Sequence, residues 1–223
     1  MGARIVFFTA KNDKSLKENF LADYSNFRNW VLSDWNTSEL KEVGLLSMGQ
    51  EINTEAIKHL SKNQNFNKNI NQALFDELLA IYLGSYCDHG DGKKLYELRG
   101  PMMNKWKYEN STKLVNQKCN QETASLWNRL HVESAVNNET LPSQSLSNDL
   151  VVGWWSVEEL KKLDYGLINI FKSPSFFNDW KDSRKNGNFT HKEELKGIEY
   201  VYDILDIGIS ENKAIFFYNE TES

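Results

Sequence analysis

Two short apolar runs at opposite ends constrain this chain more than anything between them: Ile5-Val6-Phe7-Phe8-Thr9 near the start and Ala214-Ile215-Phe216-Phe217-Tyr218 near the end. Both are β-branched and aromatic with almost no polar alternation, the pattern of strands buried on both faces. Runs so alike are expected to pair in one sheet, which would tie the two ends of the chain together. A third run, Leu150-Val151-Val152-Gly153-Trp154-Trp155, is followed by Ser156 with Glu159 three residues on. A strand is expected to end there, and a capped helix to begin.

Helical periodicity fills most of the intervening sequence. Ser15 with Glu18 is a capping box, and Leu16, Phe20, Tyr24, Phe27 and Val31 follow at helical spacing, predicting a helix to about Leu32. Asn36 with Glu39 predicts a short helix through Leu40, Val43 and Leu46, and a further one is expected over Thr54 to Leu60. After the polar loop 62–69, Ile70 to Tyr86 is apolar around so much of its circumference that it reads as a largely buried helix. A strand over Lys94 to Arg99, closed by Gly100-Pro101, and a helix from Gln121 to Ala135 come next. The polar stretch 136–149 reads as a long surface loop or a linker. Beyond the third apolar run, helices are expected over Val157 to Phe171, around Phe176 to Lys181, and from the Thr190/Glu193 capping box to about Gly208. The sum is one helix-rich α+β domain over residues 1–223, built around a small mixed sheet.

Composition narrows the class. A hydrophobic fraction of 40% with 7 Trp excludes a disordered chain. No run approaches the roughly 18 apolar residues of a membrane-spanning helix, and the apolar start is too short for a signal peptide, so a cytoplasmic protein is expected. Cys87 and Cys119 then read as reduced thiols. The net charge of -5 is unevenly spread: residues 1–60, 61–120 and 121–223 carry -1, +3 and -7. Acidity in the last third opposes the basic footprint of a nucleic-acid binder and predicts a basic partner. Lys105-Trp106-Lys107-Tyr108 interleaves charge and rings as single-strand binders do, but it is short against this acidic remainder.

The densest cluster of reactive residue types is Cys87-Asp88-His89-Gly90-Asp91-Gly92. It could hold a divalent metal through Asp88, His89 and Asp91, or present Cys87 as a nucleophile beside His89; it could equally be a polar turn after a buried helix. His59, His131 and His191 stand singly, and no phosphate-binding glycine pattern or Gly-x-Ser-x-Gly occurs, so no cofactor is expected. Glu199, Asp203 and Asp206 fall in one stripe of the predicted last helix. They are read either as a solvated face or as an acidic contact surface. Trp154 and Trp155 must point to opposite faces of their strand, and both are expected to be buried unless one is an interface anchor.

From Gly153 through Ser156-x-Glu158-Glu159-Leu160, and again from Tyr200 to Ile207 and Glu211-Asn212-Lys213-Ala214-Ile215, the last third resembles the end of the YfbM-like uncharacterised bacterial domains. The resemblance implies a compact α+β bacterial protein of a group found beside secreted-toxin genes, and it carries over no catalytic residue. Together these readings lead to the expectation of a non-enzymatic bacterial or phage protein that binds and inhibits a protein partner, most concretely a toxin immunity protein. Its contacts would be Glu199, Asp203, Asp206, Trp154 and Trp155, with neither nucleic acid nor membrane involved. The alternative is a metal-dependent hydrolase using Asp88, His89 and Asp91.

Overall fold

The computed structural model describes residues 4–33, 54–67, 69–70, 72–87, 91–94, 97–130, 150–170, 178, 180–182 and 193–220. The expected helix at 36–46, the stretch 136–149 and Thr190 lie outside them.

The two terminal runs pair as expected. β1 (Arg4–Thr9) and β4 (Ile215–Glu220) are antiparallel, with Arg4 opposite Glu220 and Thr9 opposite Ile215. They form the centre of a four-stranded sheet of order β2-β1-β4-β3, with β2 (Glu97–Asn104) and β3 (Leu150–Trp155) at its edges. The sheet is antiparallel throughout rather than mixed. Between β3 and β4 the described residues include the helices Val157–Leu167 and Glu193–Glu211, with further helical residues at 180–182, rather than the single crossover helix that returns a strand parallel.

β2 does not stop at Gly100-Pro101. Ile5 faces Met103 and Phe7 faces Arg99, so three residues of β2 stand opposite Val6 alone. A bulge of this kind, on an edge strand, is where a proline can sit without breaking a ladder.

Alternation along the strands divides the interior in two. Val6, Phe8, Phe216 and Tyr218 face a layer made by α1 (Leu16–Ser33), α2 (Thr54–Lys62), α3 (Gln72–Ile81) and a π-helical extension of α3 over Tyr82–Cys87. Ile5, Phe7, Trp155, Ile215 and Phe217 face the other layer. That layer contains α4 (Lys105–Lys118), α5 (Gln121–Asn128), α6 (Val157–Leu167) and α7 (Glu193–Glu211). A sheet covered on both sides has no use for polar alternation, which is why its central strands read as continuous apolar runs. Each ring buried there contributes on the order of 1.5–3 kcal/mol.

Phe20 organises the first layer. Its ring meets Tyr24, Phe66, Phe75 and Tyr82 edge-on at centroid distances of 5.8, 5.6, 5.8 and 5.3 Å. The α1 capping box is made as the sequence requires: Ser15 N donates to Glu18 Oε2 at 3.0 Å and Glu18 N to Ser15 Oγ at 3.1 Å.

Two elements of the second layer differ from the sequence reading. α4 was not anticipated, and it takes up Lys105 to Tyr108 as its first turn. α5 stops at Asn128 rather than continuing to Ala135, of which residues 131–135 lie outside the described ones. Among the described residues no helix is long and apolar enough to cross a membrane.

Candidate functional site

The acidic stripe on α7 is not presented as a unit. Leu195, Ile198, Val201, Tyr202, Ile204 and Leu205 are all buried, so apolar contacts cover about half of the helix circumference. Glu199 stands at the edge of that arc and is only 5% exposed. Asp203 is exposed, and Asp206 is partly exposed and faces Lys181 at 3.7 Å. The expectation of three outward carboxylates is therefore corrected to Asp203 with the open side of Asp206.

The tryptophans are likewise separated from the stripe. Trp155 is fully buried in the α4–α7 layer, where its indole N–H donates to the Leu126 carbonyl at 2.9 Å and its ring lies 4.8 Å from Phe217. Trp154 points to the opposite face and packs, half-buried, against the α1–α3 layer. Neither can join Glu199, Asp203 and Asp206 in one contact patch.

What the fold does gather on the α6–α7 seam is a cation seat filled from within the chain. Tyr202 donates its hydroxyl to Asp164 Oδ1, and Lys181 Nζ lies 3.5 Å from the same oxygen and 4.5 Å above the Tyr202 ring. Trp180 meets that ring edge-on at 5.2 Å. Burial, reinforced by the hydrogen bond to Asp164, pushes the Tyr202 hydroxyl well above its usual range, so the phenol stays a donor. Trp180 and Lys181 thus dock their short helical stretch onto α6 and α7.

Next to that seam, on α6, is a residue the sequence reading passed over. Tyr165 is 76% exposed, a large ring left in solvent while its neighbours Leu160, Leu163 and Leu167 are buried. It shares its face with Glu158, Lys161, Lys162 and Asn169, all exposed. The signal was available: 158, 161, 162, 165 and 169 repeat at helical spacing opposite the leucines.

The helix that carries Tyr165 is held firmly at its start. Ser156 N donates to Glu159 Oε2 at 2.9 Å and Glu159 N to Ser156 Oγ at 3.2 Å, completing the expected capping box. Val157 N donates to Asp13 Oδ1 at 2.6 Å, and Arg129 bridges the Trp154 carbonyl and Glu159 Oε1 at 3.1 and 2.7 Å. Burial alone would raise the Glu159 carboxyl, but the bonds from Arg129 and Ser156 outweigh it and hold the group below its usual range.

The 87–92 segment follows the π-helical turn. Cys87 is buried and Asp91 exposed, while Asp88 and His89 lie outside the described residues. No group of three His, Cys, Asp or Glu residues close enough to hold a metal ion occurs among the described residues. Gly92 lies under Tyr86, where an added Cβ would come within 2.6 Å of the ring. Beneath this turn the buried Asp23 accepts from Asn26 Nδ2 at 2.8 Å and, at 3.5 Å, from the Tyr82 hydroxyl. In the other layer, Tyr108 is buried and stacked on Trp127 at 5.9 Å, so it is closed to a nucleic-acid base.

A scan against protein-family models and searches of curated proteins and of solved structures find no match to this chain.

Proposed function

We propose that the chain binds and inhibits a basic protein partner in the cytoplasm, most concretely as the immunity protein of a toxin, using the outer surface of α6 and α7. The observation that carries this reading is Tyr165, 76% exposed on a rigidly capped helix. An aromatic ring in solvent adds nothing to the core, whereas rings of this kind at the centre of an interface supply a large share of binding energy. Tyr165 and Asp203 adjoin, in sequence, the Asp164–Tyr202 hydrogen bond that joins the two helices. Asp203 and the open side of Asp206 bring negative charge to that seam, and the last third carries the acidic excess of the chain. Such charge favours fast encounter with a basic surface and discriminates against acidic ones.

The test is co-expression with the product of the adjacent gene. Growth should be restored and a stable complex isolated, and Tyr165→Ala with Asp203→Lys should weaken that complex at least ten-fold while leaving the thermal midpoint within a few degrees. A complex equally tight with the double variant, or neither rescue nor complex, defeats the reading.

A further inference from the structure

On the opposite side of the sheet from α6 and α7, α2 and α3 enclose a cleft of about 360 Å³ lined by Lys58, His59, Lys62, Asn63 and Leu74. Spacings of four put Lys58 beside Lys62 and His59 beside Asn63 on one face of α2 and its end. His59 is only 8% exposed, its ring 6.2 Å from that of Phe66, and its buried Nε2 has no hydrogen-bond partner among the described residues.

The surroundings fix which nitrogen carries the proton. Asn63 Nδ2 donates to the His59 carbonyl at 2.9 Å, an atom that can only accept, so the carboxamide cannot turn its oxygen that way. The same Nδ2 lies 3.3 Å from His59 Nδ1, which must therefore be the acceptor. Burial holds the imidazole below its ordinary range, and with Nδ1 accepting from Asn63 the neutral ring carries its hydrogen on Nε2. The Asn63 backbone is itself anchored, because its main-chain carbonyl accepts from the Tyr24 hydroxyl at 3.3 Å. The result is a buried N–H donor without an acceptor among the described residues, on a histidine that lines a cleft also carrying two lysines.

We infer that this cleft binds a small oxyanion, a carboxylate or a phosphate, whose oxygen accepts from His59 Nε2–H while Lys58 and Lys62 balance its charge. Nε2 itself is closed to water, so a side chain of the cleft wall must shift before an anion oxygen can reach it. Leu74 supplies an apolar wall for the rest of the ligand. The volume lies at the lower end of small-molecule sites. The cleft lies across the sheet from the proposed protein-binding surface on α6 and α7.

Calorimetric titration of the full chain with inorganic phosphate and, separately, with acetate tests it, alongside nitrogen-15 spectra of the histidine side chains. At least one anion should saturate with a Kd of about 1 mM or tighter, shift the His59 Nε2–H signal, and bind at least ten-fold more weakly to His59→Phe. Saturation by phosphate alone identifies a phosphate ligand, and by acetate alone a carboxylate. Should His59→Phe not fold, Lys58→Gln with Lys62→Gln on the exposed rim must give the same ten-fold loss. Absence of saturation by both anions, a proton on Nδ1, or wild-type affinity in the folded variants overturns the inference; a water molecule as the sole partner of Nε2 would produce the first of these.

Discussion

Single glycines decide how closely the layers of this protein approach. Gly153 sits in β3 directly opposite Phe217, and a Cβ built there would lie 2.4 Å from the Phe217 ring. The missing side chain is the slot that lets Phe217 lie flat across the strand and reach Trp155. Gly166 does the same between α6 and α5, where an added Cβ would fall 1.8 Å from Thr123 Oγ1. Gly153→Ala should cost about 1–3 kcal/mol by urea denaturation, since overpacking a filled site displaces a ring and not a flexible chain end. In a Phe217→Leu background the same substitution should cost less, because the clashing atoms are gone, and a double-mutant cycle reads that difference as coupling. Equal costs in both backgrounds would show that the glycine is required for some reason other than Phe217.

Helix ends show where local signals are ambiguous between two uses of the same residue. α7 runs through Gly208, where the sequence reading ended it, and stops at Glu211 with Asn212 at a φ of 53°. Lys213 N donates to the Gly208 carbonyl at 2.9 Å and Asn212 N to that of Ile209 at 3.3 Å, the paired bonds of a Schellman ending. Gly208 is needed instead for approach, since a Cβ there would lie 2.5 Å from Leu160 Cδ1. Asn212→Val should destabilise by about 1–2 kcal/mol, the cost of a left-handed backbone for a branched residue, and Asn212→Gly should not. A calorimetric melt in which Asn212→Val matches the wild type would refute the assignment. The same ambiguity sets what could be read in advance. Capping boxes at Ser15 and Ser156 and the terminal strands were legible because each pairs a local chemical need with a periodic apolar pattern. α4 was not, because Tyr108, Ser111 and Val115 are the buried positions among its described side chains and a serine in such a stripe conceals the period. Glu199 was misplaced for a related reason: one sequence shows which residues share a helix face but not how far neighbouring helices wrap around it.

At the scale of the whole molecule, one thin sheet serves two cores. Adjacent residues of β1 belong to different layers, Phe7 to that of α4–α7 and Phe8 to that of α1–α3, and the same holds for Phe216 and Phe217 in β4. Neither layer can keep its floor if the central pair separates, because the ladder between β1 and β4 is common to both. The two cores should therefore unfold as one cooperative unit, although their buried side chains fall into two separate clusters. Phe7→Ala and Phe8→Ala should each cost about 3–5 kcal/mol, and the informative measurement is native-state hydrogen exchange on amides of α1 and α7. If the sheet couples the layers, Phe7→Ala lowers the protection of α1 as much as that of α7, although its ring faces only the latter, and Phe8→Ala does the converse. Independent layers would give the opposite pattern, each substitution loosening only the helices its ring touches. Such a result would divide the chain into two folding units back to back, and the proposed partner surface on α6 and α7 would then report on the stability of its own layer alone.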